Sequence, residues 1–149
     1  MAMTVRGRTE RPGPPRATGR GIIGLAGMWR LMPSNKKVVE TYLSTADRAA
    51  RGPLLADDVE WVEWVDGVPA SGAVVRGKEA YLNNYGDNQL RSEVWRLTEE
   101  NNVVVAEGTA HVTKKDGGAL SVRFVDIFEL DHGKIKRKSS FGALLKPPA

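Results

Sequence analysis

Apolar residues recur at helical spacing near the start of the patterned chain. Val38, Val39, Tyr42, Leu43 and Ala46 fall on one face and predict a helix from Lys36 to about Ala50. Ser34 or Asn35 is placed to cap it, and Gly52-Pro53 to break it. Leu54-Leu55-Ala56 reads as a short helical turn ahead of Asp57-Asp58. The period then changes to two. Val59 to Val65 carries bulky apolar groups on both faces, the pattern of a strand covered on both sides. Asp66-Gly67 marks a turn, and Ala73-Val74-Val75 a short return strand. Gly77 precedes a second helix, Lys78 to Tyr85, with Ala80, Tyr81, Leu82 and Tyr85 as its buried side. Beyond it the chain alternates in four long segments: Ser92 to Glu99, Val103 to Lys114, Leu120 to Leu130 and Lys134 to Leu145. Turn residues join them at Asn101-Asn102, Asp116-Gly117-Gly118 and Asp131-His132-Gly133, as in an antiparallel meander. Helices first and a meander last predict an α+β fold, a curved and mostly antiparallel sheet wrapped around N-terminal helices.

The 149 residues suffice for one domain with an ordinary core. A hydrophobic fraction of 41% beside 27% charged residues is a globular balance. No apolar run reaches the ~20 residues that a membrane span needs. Cysteine is absent, which removes disulfide and thiol chemistry and fits a cytoplasmic setting. His111 and His132 do not cluster, so a metal site is not expected.

The sequence pI near 9.5 raises the question of nucleic acid. Residues 1–35 hold six arginines against one acid, Glu10, a net of +5; with the whole chain at +4, the remainder comes to −1. The basic character therefore belongs to the leading segment, and neither nucleic acid nor membrane is an expected partner. Residues 1–33 also hold six of the sixteen glycines and four of the eight prolines, and they read as a disordered extension. An upstream start, with Met28 or Met32 as the native one, is the simplest explanation of it. The domain is expected over 34–146, with a tail of 147–149.

Three carboxylates attract notice. Glu60 and Glu63 lie in the first strand on opposite faces, Glu63 with Val59, Trp61 and Val65. Asp126 shares its face with Val122, Phe124, Phe128 and Leu130. A lone carboxylate among such neighbours has its pKa raised by desolvation and suits proton transfer or hydrogen-bond donation. The plainer alternatives are edge-strand charges for the glutamates and a structural bond to a backbone N–H or to Arg137 for Asp126. His111 shares a face with Val105, Glu107 and Thr109, and Arg123 faces away from Asp126. The basic run Lys134, Lys136, Arg137 and Lys138 divides between the two faces of its strand and reads as a solvated edge.

The motifs V-V-E-T-Y-L, L-L-A-D-D-V-E-W, V-R-G-K-E-A-Y and V-R-F-V-D-I-F-E-L-D-H-G-K-I, over about residues 35–146, resemble the nuclear transport factor 2-like superfamily. The nearest resemblance is to its SnoaL-like polyketide-cyclase branch. It implies a cone-shaped α+β barrel with a small-molecule cavity, and a homodimer formed through a face of the sheet. Set against the ketosteroid isomerases of that superfamily, the positions imply Glu63 as the base, with Asp126 and Tyr42 at the oxyanion. Tyr85 is expected to support Tyr42 and, with Trp61, Phe124, Phe128, His111 and Lys138, to contact the substrate. A glutamate in place of the usual aspartate, and Lys138 where an apolar cavity residue is expected, depart from that pattern and do not support a steroid. The implied activity is cofactor-independent proton transfer of the isomerase, cyclase or hydrolase kind on a compact apolar molecule. The alternative is a ligand-binding or dimerisation domain without chemistry.

Overall fold

A computed structural model describes residues 32–66, 71–84 and 88–146. Helix α1 spans Asn35–Ser44, with the Ser34 hydroxyl accepting from the Lys37 backbone N–H at its start. The helix does not run on to Ala50. The hydroxyls of Ser44 and Thr45 both bond back to the Thr41 carbonyl, and Asp47 caps a separate turn, α2, over Arg48–Arg51. Short polar side chains thus compete for the backbone where the apolar period alone read as one continuous helix. A 3-10 turn follows over Gly52–Leu54.

Strand β1 begins earlier than its apolar run, spanning Leu55–Asp66 through Asp57-Asp58. Its pairing slips between Leu55 and Glu60, so a bulge, and not a helix boundary, accommodates the two aspartates. Strand β2 (Val74–Arg76) pairs antiparallel with it, and α3 covers Lys78–Asn83. The meander is β3 (Gln89–Glu100), β4 (Val103–Thr113), β5 (Ala119–Asp131) and β6 (Lys134–Leu144). Asn101 and His132, in two of its turns, take left-handed backbone conformations.

The six strands form one sheet in the order β2-β1-β6-β5-β4-β3. Every pairing is antiparallel except β1 with β6. The end strands β2 and β3 do not meet, so the cone is an open sheet and not a closed barrel. Helix α1 touches β3, β4 and β6 while α3 touches β1 and β2, so one face of the sheet curves around the helices. The core lies in that concavity. Val39, Tyr42, Leu55, Val59, Tyr81, Val104, Phe128 and Ile135 are almost completely buried there. At Gly108 an added Cβ would lie 2.2 Å from the Glu93 carbonyl oxygen, so only glycine permits this approach of β4 to the bulge in β3.

Candidate functional site

The inward positions of the sheet line a cavity of about 70 Å³. Strand alternation selects its walls. Trp61, Glu63 and Val65 come from β1, Leu90 and Ser92 from β3, and Ala110 and Val112 from β4. Val122, Phe124 and Asp126 come from β5, Lys138 and Ser140 from β6 with the neighbouring Phe141 also in the lining, while Tyr42, Leu43 and Arg51 close the helical side.

Inside this apolar shell is a buried ion pair. Lys138 Nζ lies 3.1 Å from Asp126 Oδ2, and both side chains are 6% exposed. Asp126 is therefore not the lone carboxylate that its neighbours in sequence imply. Its partner is not Arg137, whose cross-strand neighbours are Glu60 and Glu129 on the outer side. Nor is Lys138 part of a solvated edge. The ammonium is 5.1 Å from the Trp61 ring centre, 5.8 Å from that of Tyr42 and 5.9 Å from that of Phe128. Three π faces and a carboxylate offset the cost of burying it.

Glu63 is half-buried on the adjoining strand. Burial pushes its carboxyl above the ordinary value of 4.5; the Lys138 ammonium opposes that shift and the Asp126 charge adds to it. Trp61 is fixed by its indole N–H, which donates to Ser140 Oγ at 3.1 Å. The Tyr42 hydroxyl lies 2.7 Å from that of Tyr81. The resemblance implied this support at Tyr85, a position outside the described residues. Tyr81, four positions earlier in sequence, is buried on α3, and sequence reading placed it in the core without giving it this role.

The structure thus brings Tyr42, Trp61, Glu63, Phe124, Asp126 and Lys138 to one cavity. Phe128 packs behind it, 5.6 Å from the Tyr42 ring. His111 is not brought there. Its neighbours Ala110 and Val112 point inward, so its ring lies on the outer face, where Nδ1 is 2.8 Å from Ser121 Oγ. Arg123 also lies outside, over the Trp95 ring at 4.5 Å. The residue that sequence reading missed is Arg51, 6% exposed, whose Nε donates to the Thr45 carbonyl at 2.7 Å. Its signal, a basic residue just before the Gly52-Pro53 break, is weak until the short α2 turn is known. Among the described residues no group of His and acidic side chains could hold a metal ion, and no helix is long and apolar enough to cross a membrane.

A fold with its core and a cavity on the concave side of an open sheet belongs to a recognised class. Residues 36–138 match the SnoaL-like domain, and the chain belongs to that family. Similar solved structures include a phenazine biosynthesis-related protein from Pseudomonas aeruginosa, with 25% identity and a TM-score of 0.63 over 80% of this chain and 85% of that one. An LEH-like epoxide hydrolase from M. tuberculosis gives 19% identity and a TM-score of 0.60, over 72% and 81% of the two chains. A putative SnoaL-like polyketide cyclase from Jannaschia gives 16% and 0.58, over 72% and 84%. These place the chain on the nuclear transport factor 2-like fold. No curated protein matches it.

Proposed function

We propose that the domain is an acid–base enzyme that moves a proton on a compact apolar molecule held in the cavity, without a cofactor. One observation carries this: a half-buried carboxyl, Glu63, stands beside the buried Asp126–Lys138 pair in an otherwise apolar cavity. Glu63 in its ionised form takes a proton from a carbon next to a carbonyl, and the electron pair moves to the carbonyl oxygen. That oxygen is then held by the Lys138 ammonium and the Tyr42 hydroxyl, and Glu63 returns the proton at the product carbon. The donating role that the resemblance implied for Asp126 passes to Lys138, because the hydrogens of the pair sit on the ammonium. Asp126 holds Lys138 in place. Polyketide cyclase and epoxide hydrolase, the names of two structural neighbours, are further support for chemistry on this fold.

The test is deuterium incorporation from D2O into a panel of small cyclic ketones. Glu63→Gln should lower the rate by about 10²–10⁴-fold. A rate with every ketone no higher than that of the variant would refute the reading. The same ion pair supports a second reading, a ligand-binding domain without chemistry, since a closed Asp126–Lys138 bridge also serves simply to shape the pocket. That reading predicts ligand binding with no exchange.

We also infer that two copies pair through the outer face of the sheet. Trp64, Phe141 and Val125 are successive cross-strand neighbours there, 51%, 43% and 37% exposed. Three such groups side by side form an apolar patch. Sedimentation should show a dimer, and Trp64→Glu should shift it to monomer; a wild-type monomer would end the proposal.

A further inference from the structure

Three arginines of the outer face have carboxylate partners. Arg76 pairs with Glu60 and Arg91 with Glu93, at 2.9 and 2.8 Å, and Arg96 pairs with Glu107. Buried Arg51 is the reverse case: among the described residues no carboxylate lies within ion-pair distance of it. A guanidinium largely shielded from water and without a counter-charge favours an anion that can supply one. Its orientation is nevertheless fixed. The Thr45 carbonyl holds Nε, and the guanidinium carbon lies 4.9 Å from the centre of the Tyr42 ring. The Nη groups have no hydrogen-bond partner among the described residues and stay open to solvent, and the side chain forms part of the cavity wall.

The other cation of the wall is already used. Lys138 is matched by Asp126, so Arg51 is the positive group whose counter-charge is missing. A planar fork of N–H donors, held by packing, matches a carboxylate in two parallel hydrogen bonds. The cavity is small and admits only a compact molecule.

We propose that the cavity binds a compact carboxylic acid whose carboxylate lies on the guanidinium of Arg51. This shares the cavity of the acid–base reading and names the substrate class for it. The anchored carboxylate would be remote from the reacting carbon, so its binding energy serves to position that carbon near Glu63. A phosphate monoester is a poorer match, being bulkier and doubly charged in a site with one uncompensated cation.

The experiment is calorimetric titration of the full chain with benzoate and cyclohexanecarboxylate. Benzamide and methyl benzoate serve as uncharged counterparts. The acids should bind at least about tenfold more tightly than the uncharged pair, and Arg51→Gln should remove that preference. Because Arg51 also packs on Tyr42, Arg51→Lys is the second variant. It keeps the charge but not the fork, and should retain part of the preference, with thermal melting confirming a folded protein. Equal affinity for benzoate and benzamide, unchanged acid binding in Arg51→Gln, or no acid binding tighter than about 10 mM would overturn the proposal. The two readings fail separately. Acid binding without Glu63-dependent exchange keeps the carboxylate site and ends the proton-transfer reading; exchange on ketones without acid binding does the opposite.

Discussion

The two faces of the same sheet use the same residue types to opposite ends. On the outer face Arg76 and Glu60 pair at 2.9 Å with side chains 69% and 40% exposed. On the inner face Lys138 and Asp126 pair at 3.1 Å with both side chains 6% exposed. The separations are nearly equal, but the surroundings are not. Water screens the outer pair, and its loss costs little. The inner pair has given up its water, so each charge depends on the other and on the rings around it. Distance alone therefore says little about what an ion pair is worth.

The largest effect should come from splitting the inner pair. Lys138→Met leaves the Asp126 carboxylate buried without its counter-charge and should cost about 3–5 kcal/mol in urea unfolding. The double variant with Asp126→Leu should recover most of that loss. A single variant as stable as wild type would mean that the inner pair behaves like the outer one.

Next is the hydroxyl contact that steadies the cavity wall. Tyr42→Phe removes the 2.7 Å bond to Tyr81 and should cost about 1 kcal/mol, read as a lower unfolding midpoint with unchanged slope.

Glu63 gives a test in pH. Its folded pKa lies above the unfolded one, so the folded state holds the extra proton between the two values. Its contribution to stability is full below the unfolded value and is lost as pH rises through the folded one. Glu63→Gln should accordingly flatten the fall in stability on going from acid to neutral pH, measured by denaturant unfolding at several pH values. A steeper fall would reverse the assigned sign.

The smallest effect is expected outside. Glu60→Gln should change stability by less than about 1 kcal/mol, and added salt should shrink even that. A larger loss would place the outer pair in a drier setting, such as the dimer contact proposed for that face.

Alternation along the strands was legible in the sequence, and it assigned faces correctly at most positions. It put Glu63 with Trp61, set Glu60 opposite, and turned Arg123 away from Asp126. His111 shows the limit of that rule. Knowing which residues share its face did not say which face met the helices, and the ring lies outside. The break between α1 and α2 was missed because hydroxyl and carboxylate bonds to the backbone leave no mark on the apolar period. That break is also what carries Arg51 to the cavity.

The sequence by itself determined the order of the main elements, the alternation along each strand and the family, because these follow from local periodicity, turn chemistry and motif. Only the tertiary structure decided which charges meet. Asp126 and Lys138 are twelve positions apart on neighbouring strands, joined by the register of β5 on β6. Arg51 reaches the same cavity from a four-residue helix. Side-chain pairing across strands depends on register and on the direction of curvature, and both are fixed only when the sheet closes over its helices.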